Sequence, residues 1–188
     1  MNSMSPTHPM SRFSTGKIAL LVALGTESVF FITLLVAYAA LRDQVNWDVP
    51  HTLTRLSIPL VNSGILLISA FTAWWTGKTI RKDKQSALKG GLIVTLLLGL
   101  VFIGGQIYEF NHAGLSIGDQ AFGGVFFTLI GFHAIHVLAG VIFFALNLTR
   151  TYLGDFSSTQ FESIELGNWF WYYVTAVWAV LFTALYLV

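Results

Sequence analysis

The chain has 188 residues, of which 55% are hydrophobic and only 10% are charged, and its mean hydropathy is +0.70. A soluble domain carries about 25% charged residues, so this composition excludes an ordinary water-exposed surface and indicates a protein that faces lipid. The formal net charge of +1 gives no basic surface for nucleic acid, and the absence of cysteine excludes disulfides, thiolate metal sites and cysteine nucleophiles.

Five apolar stretches are long enough to cross a bilayer as helices, since one span needs about 20 mostly apolar residues. They predict an all-α membrane protein, a bundle of five transmembrane helices in one domain over residues 14–188. The preceding residues 1–13 lack the apolar core and cleavage site of a secretory signal, so we interpret them as a retained, flexible tail. The predicted spans are 17–41, 56–77, 87–110, 121–149 and 166–188.

Lysine and arginine residues are divided unequally between the two sides of this predicted bundle. A cytoplasmic N-terminus leaves Arg42 and Arg55 outside and places the remaining basic residues inside, as the positive-inside rule favours. The C-terminus is then periplasmic. The basic residues placed inside are Arg12, Lys17, Lys78, Arg81, Lys82, Lys84, Lys89 and Arg150.

Glu27 lies ten residues into the first predicted span, near the middle of the bilayer. Insertion scales assign an ionised side chain at that depth a cost of about 2.5–3.5 kcal/mol, so such residues are rare in transmembrane helices. An intramembrane acid is therefore a functional-site hypothesis. The alternative is a protonated carboxyl group that is hydrogen-bonded within the bundle.

The second and third spans contain several polar and small residues. Asn62 and Ser63, near the start of the second span, are interpreted as packing groups within the bundle. Gln106 and Glu109 share a helix face at the outer end of the third span, with His112 beyond, and both an interfacial anchor and a functional role stay open. We interpret the glycines as sites of close helix packing within this chain. These are Gly90, Gly91, Gly99, Gly104, Gly105, Gly123, Gly124, Gly131 and Gly140.

The fourth span carries two histidines near mid-depth, His133 and His136, whose i, i+3 spacing places them on one side of the helix. Histidine is a common metal ligand, so a metal or haem site is one interpretation. No third ligand set accompanies the pair. We therefore favour satisfied interhelical hydrogen bonds, with no metal bound.

Tryptophans lie both at the ends of the predicted spans and deeper within them. Trp74, Trp75 and Trp169 are near span ends, as an interfacial aromatic belt predicts. Trp171 and Trp178 are deeper, and the sequence leaves open whether they face lipid or a partner.

Five motifs, in order along the chain, resemble those of subunit III of the haem–copper oxidases, chiefly cytochrome c oxidase. The most specific is FFTLIGFHAIHV at 126–137, which is similar to the family's paired-histidine segment. The resemblance covers roughly residues 14–188. The other motifs are TESVFF at 26–31, PLVNS at 59–63, QIYEF at 106–110, and Glu165 followed by WFWYYVTAVW at 169–178.

The resemblance implies roles for individual residues, none of them catalytic or metal-binding. Glu27 corresponds to the family's buried, carbodiimide-reactive carboxylate, which is linked to lipid contacts and proton handling. His136 corresponds to the histidine near that carboxylate, and His133 belongs to the same motif. Arg150 corresponds to an arginine that contacts a phospholipid head group. The remaining polar motif positions are Asn62, Gln106, Glu109 and Glu165.

The sequence departs from the family pattern at two places. Tyr172 and Thr175 stand where the family's final helix has histidine and aspartate, so the polar contact of that pair is in doubt. The chain also corresponds to the short, bacterial five-helix type, without two further N-terminal helices of the mitochondrial form. The lipid cleft that those helices complete then needs a wall from a neighbouring subunit.

The resemblance therefore implies an accessory, non-redox subunit of a proton-pumping terminal oxidase in a bacterial cytoplasmic membrane. Such a subunit stabilises the catalytic subunit, binds structural phospholipid and supports proton uptake. The expected partners are subunits I and II, which carry the haem and copper, and further subunits of a respiratory complex; no cofactor and no nucleic acid are expected on this chain.

Two alternatives stay open at this point. One is the equivalent subunit of a quinol oxidase or of a nitric oxide reductase. The other, from a different class, is a stand-alone transporter or proton channel that uses Glu27, His133 and His136 as a relay. Transporters often contain internal repeats and broken helices, and neither is visible in the sequence.

Overall fold

The computed structural model describes residues 14–42, 57–112 and 120–187, and within these ranges the chain is helical apart from short connections. Five helices are long and apolar enough to cross a membrane, which confirms the predicted all-α, five-span fold. They are α1 (Thr15–Arg42), α2 (Ser57–Ile80), α3 (Gln85–His112), α4 (Gln120–Leu153) and α5 (Glu162–Phe182), and α5 ends in a π-helical turn, Thr183–Leu187. The predicted tail 1–13, with Arg12, and the connector residue Arg55 lie outside the described residues.

The helices extend past the apolar stretches that predicted them. α2 continues to Ile80, α4 continues to Leu153, and α5 begins at Glu162, where the predicted spans ended at 77 and 149 and began at 166. The reason is that backbone hydrogen bonding continues into polar residues, whereas hydropathy records only the segment that is buried in hydrocarbon. Several charged residues that the sequence analysis placed in connectors therefore lie on helix ends.

The helices are packed unevenly. α2 and α3 form the tightest pair, joined by a short turn in which Asp83 adopts a left-handed φ of 54° and the Lys84 amide donates to the Thr79 carbonyl at 3.1 Å. α4 and α5 complete a four-helix core with this pair, while α1 packs against α4 and α5. Only 6% of the most apolar stretch of α1 is buried inside the chain, compared with 39% for α4.

The two deep tryptophans face the interior of the bundle and not lipid. Trp171 is fully buried, and its indole Nε1 donates to Ser69 Oγ at 2.9 Å. Trp178 Nε1 donates to Ser63 Oγ at the same distance, so both rings join α5 to α2. The Trp171 ring fits against Gly99 and Gly140, where an added Cβ would lie 2.9 and 2.6 Å from ring carbons. The question that the sequence left open is therefore answered by burial.

The interpretation of the glycines as packing sites is right for some and wrong for others. Gly91 and Gly105, like the two beside Trp171, are in close contact with side chains of a neighbouring helix. At Gly90, Gly104 and Gly131 an added Cβ would meet nothing within 4 Å, so these residues do not mediate close packing inside the chain. The sequence cannot separate the two groups because glycine marks both faces of a helix equally.

Candidate functional site

The pair Glu27 and His136 lies midway along the helices, where α1 meets α4. Glu27 Oε2 is 3.5 Å from His136 Nε2, and His136 Nδ1 is 2.8 Å from the Phe132 carbonyl of its own helix. A carbonyl can only accept, so Nδ1 carries a proton and Nε2 is the nitrogen that faces the carboxyl group. The pair can then share one proton, either as a carboxylic acid beside a neutral imidazole or as a carboxylate beside an imidazolium.

The two members of this pair differ in their exposure. The His136 side chain is 13% exposed and lies among the rings of Phe31, Phe132 and Phe170, whose centroids are 5.0–6.4 Å from the imidazole. The Glu27 side chain is 38% exposed and reaches the surface of the bundle. An ionisable group on the exterior at this depth is costly in lipid.

An apolar cavity of about 270 Å³ lies between α1, α4 and α5. Its lining contains Phe170, which also stacks on His136, so the cavity adjoins the Glu27–His136 pair. The lining side chains carry no polar terminus and are Leu20, Ala139, Phe143, Leu166 and Phe170. Such a space suits a hydrocarbon chain and does not suit a polar ligand.

Glu165 organises a charged cluster at one end of the bundle, which we call the ionic clamp: Lys17, Arg81 and Glu165. Lys17 Nζ and Arg81 Nη2 each lie 2.6 Å from one oxygen of Glu165, whose side chain is 14% exposed. One turn earlier on α5, Glu162 accepts a hydrogen bond from the Ser14 hydroxyl. The clamp therefore ties α1 and the α2–α3 turn to the beginning of α5.

Arg150 lies at the same end, on the last turns of α4. Its Nε donates to Asp155 Oδ2 at 3.1 Å, and its guanidinium lies 4.9 Å from the centroid of the Phe156 ring. Gly154, at a left-handed φ of 83°, ends α4 and turns the chain so that Asp155 faces Arg150. About half of each partner is exposed, so the pair is open to exchange with another anion.

The opposite end contains a second polar group, in which the structure differs from the sequence interpretation. Gln106 is 2% exposed, so it is not an anchor at a water interface but a buried residue. Its Nε2 donates to Glu109 Oε2 at 3.2 Å, and Glu109 Oε1 accepts from the Tyr186 hydroxyl at 2.6 Å. Nearby, His112 bonds the Tyr108 carbonyl of its own helix. No sequence motif marks Tyr186 as a member of this group.

His133 contradicts the expectation of a satisfied interhelical hydrogen bond. It is 1% exposed, and neither ring nitrogen has a hydrogen-bond partner among the residues that the structure describes. The imidazole instead stacks on Trp178 at 5.2 Å and meets the edges of Phe31 and Phe102. Asn62, 3% exposed, packs against Gly105, and its Nδ2 likewise lacks a partner in the described ranges. Burial of this kind follows from tertiary packing, which the i, i+3 spacing does not reveal.

Thr175 and Tyr172, the two departures from the family motif, both make contacts within the chain. Thr175 is buried and its hydroxyl donates to the Trp171 carbonyl at 2.9 Å, so no charged partner is needed there. Tyr172 packs against the apolar core. The hydroxyl of the neighbouring Tyr173, which was not a predicted site residue, accepts a hydrogen bond from the Ser28 hydroxyl at 3.3 Å, beside Glu27. In the described ranges, no three His, Asp or Glu side chains converge as metal ligands.

Comparison with known proteins places the whole chain in one group of relatives. Residues 4–188 match the family described as cytochrome c oxidase subunit III. A probable cytochrome c oxidase subunit 3 of Nocardia farcinica is 32% identical over 186 residues, which covers 96% of this chain and 92% of the relative. The probable subunit 3 of Mycobacterium tuberculosis H37Rv is 31% identical, with 98% and 93% covered. The subunit 3 of Thermostichus vulcanus is 30% identical, with 90% and 86% covered.

Proposed function

Because the chain belongs to the cytochrome c oxidase subunit III family, and is thus an accessory, non-catalytic subunit of that oxidase, we propose that it supports proton uptake and binds structural phospholipid beside the catalytic subunit. The observation that carries this proposal is the Glu27–His136 pair at mid-depth, next to an apolar cavity. A proton-sharing pair and a hydrocarbon-sized space in one place are the two properties that the proposed role needs.

The exposure of Glu27 supports a role at the contact with another subunit. Its side chain is 38% exposed at the edge of the α1–α4 contact, and α1 is the helix with the smallest share of its surface buried in this chain. A partner helix over this face would remove the carboxyl group from lipid and place a proton-sharing pair at the subunit boundary. We propose that subunits I and II of the oxidase, which carry the haem and copper, are the partners, together with further subunits of a respiratory complex.

The lipid proposal rests on the position of Arg150 relative to the cavity. Ala139, Phe143 and Arg150 are separated by four and seven residues on α4, so they share one face of the helix. A phosphate group at Arg150 would direct its acyl chain along this face into the cavity that Ala139 and Phe143 line. Phospholipid phosphate would compete with Asp155 for the guanidinium, whose planar fork suits phosphate.

The basic residues at one end of the bundle support an orientation of the protein in the membrane. The α2–α3 turn, the beginning of α1 and the end of α4 meet there, because the ionic clamp joins the first two and Gln85 bonds the Phe156 carbonyl beyond α4. We propose that this end faces the cytoplasm of a bacterial cell and that α5 ends on the periplasmic side. The basic side chains described at this end are Lys17, Lys78, Arg81, Lys82, Lys84, Lys89 and Arg150.

The proposal is tested by Glu27→Gln in the purified oxidase complex. The initial rate of oxygen consumption is expected to stay within about twofold of the wild type, since this subunit is non-catalytic, whereas activity is expected to decay faster during sustained turnover. Glu109→Gln, at a carboxyl group near the end of α3 that bonds Tyr186, is the matched control and should keep the wild-type lifetime. Immediate loss of oxygen reduction, or an unchanged lifetime in the Glu27 variant, would contradict the proposal.

A further inference from the structure

The interior of the bundle contains two polar side chains whose hydrogen-bonding capacity is unused by the described protein. Both nitrogens of His133 and the amide Nδ2 of Asn62 lack partners in the described ranges, and the two residues are 1% and 3% exposed. Buried polar groups in native proteins nearly always have a hydrogen-bond partner, either protein or ordered water. These atoms therefore point to a ligand inside the bundle.

The two side chains belong to one layer of the bundle, to which four helices contribute. The ring centroids of Phe102, on α3, and His133 are 6.1 Å apart. One turn further along α3, Gly105 is in close contact with Asn62 on α2. Trp178 on α5 connects the same two places, because its ring stacks on His133 while its Nε1 bonds Ser63, the neighbour of Asn62. The two unsatisfied side chains therefore border positions one helical turn apart on α3 and are linked through Trp178.

We propose that this layer, formed by Asn62, Gly105 and His133, binds buried water. Water fits the chemistry, because a water molecule can accept from the Asn62 amide or from the protonated nitrogen of His133, and a second water molecule can donate to the other ring nitrogen. Buried waters make about three such hydrogen bonds. The neighbouring Ser63 hydroxyl is engaged elsewhere, since it donates to the Pro59 carbonyl at 2.7 Å and accepts from Trp178.

A polar route leads from this layer to the helix end away from the ionic clamp. Gln106 is adjacent to Gly105, its amide donates to Glu109, and Glu109 accepts from Tyr186 in the last turn of the described chain. The site is separate from the Glu27–His136 pair and does not depend on the function proposed above.

Gly105 supplies a sharp test of this site. A Cβ at this position would lie 2.2 Å from Asn62 Oδ1, so Gly105→Ala must displace the amide from the layer. Gly104→Ala is the matched control, since a Cβ there meets nothing within 4 Å. Asn62→Leu removes the polar group at similar size and serves as the second variant if Gly105→Ala does not assemble.

The experiment is water-edited solid-state NMR on the intact oxidase complex in lipid, with ¹⁵N-labelled histidine and His133→Phe for assignment. We expect rapid polarisation transfer from water to the His133 ring nitrogens, reduced about tenfold by Gly105→Ala or Asn62→Leu and unchanged by Gly104→Ala. Transfer to His133 that is as slow as transfer to the dry apolar core in the wild type would overturn the proposal. Equal transfer in the wild type and in both layer variants would overturn it as well.

Discussion

His133 and His136 lie one turn apart on α4, and the two regions that they belong to differ in almost every physical respect. His136 faces α1, is partly open to the exterior and has a carboxyl group 3.5 Å away. His133 faces the core of α2, α3 and α5, lies among aromatic rings and has no polar protein partner in the described ranges. One face of α4 therefore packs against α1, which is little buried, and another face packs against the buried core of α2, α3 and α5.

The largest effect that would test this contrast is expected from Trp171→Ala. Trp171 is fully buried between α2, α3 and α4 and bonds Ser69, so its removal leaves a large cavity and should cost about 3–5 kcal/mol of bundle stability. Trp75→Ala, at a residue that is 44% exposed, should cost less than about 1 kcal/mol. Retention of this subunit in the complex after heating measures both. Equal losses would show that the core is no tighter than the surface.

A smaller effect is expected from Glu165→Gln, which probes the loosely attached side. The substitution removes the charge that holds both Lys17 and Arg81, and since Arg81 is well exposed the expected cost is about 1–2 kcal/mol. Amide hydrogen exchange in the first turns of α1 should become roughly tenfold faster, while α3 should be unchanged. If α3 exchanged faster and α1 did not, the assignment of the clamp to α1 would be wrong.

The smallest effect concerns the competition at Arg150. Asp155→Asn frees the guanidinium from an exposed ion pair worth less than about 1 kcal/mol, so phospholipid retained per complex should rise by no more than about fivefold. Arg150→Gln should lower it, and mass spectrometry of the extracted lipid measures both variants. If the Arg150→Gln complex retained more phospholipid than the wild type, the assignment of Arg150 to the lipid site would be wrong.

The fold was predictable because the partition of a helix into lipid depends mainly on its own composition. All five spans, and Glu27 as a mid-depth acid, follow from local sequence in this way. The clamp was not predictable, since Glu165 obtains its partners from Lys17 and from Arg81, which is 84 residues earlier in the chain. The same holds for His133 and Trp178, because their inward orientation is set by which neighbours they meet and not by their depth.

The attachment of α1 through α5 has a consequence for synthesis of the protein. Ser14 is separated by 148 residues from Glu162, with which it bonds, and a ribosome adds about 5–20 residues per second, so roughly 7–30 s pass before that contact can form. α1 must therefore insert into the membrane before α4 is synthesised, and until then Glu27 lacks its partner His136. Its mean hydropathy of 2.2, equal to that of α4, provides the margin that allows it to stay inserted meanwhile. The helix that is least buried in the finished bundle is thus also the one that must stay inserted before its partners α4 and α5 are made.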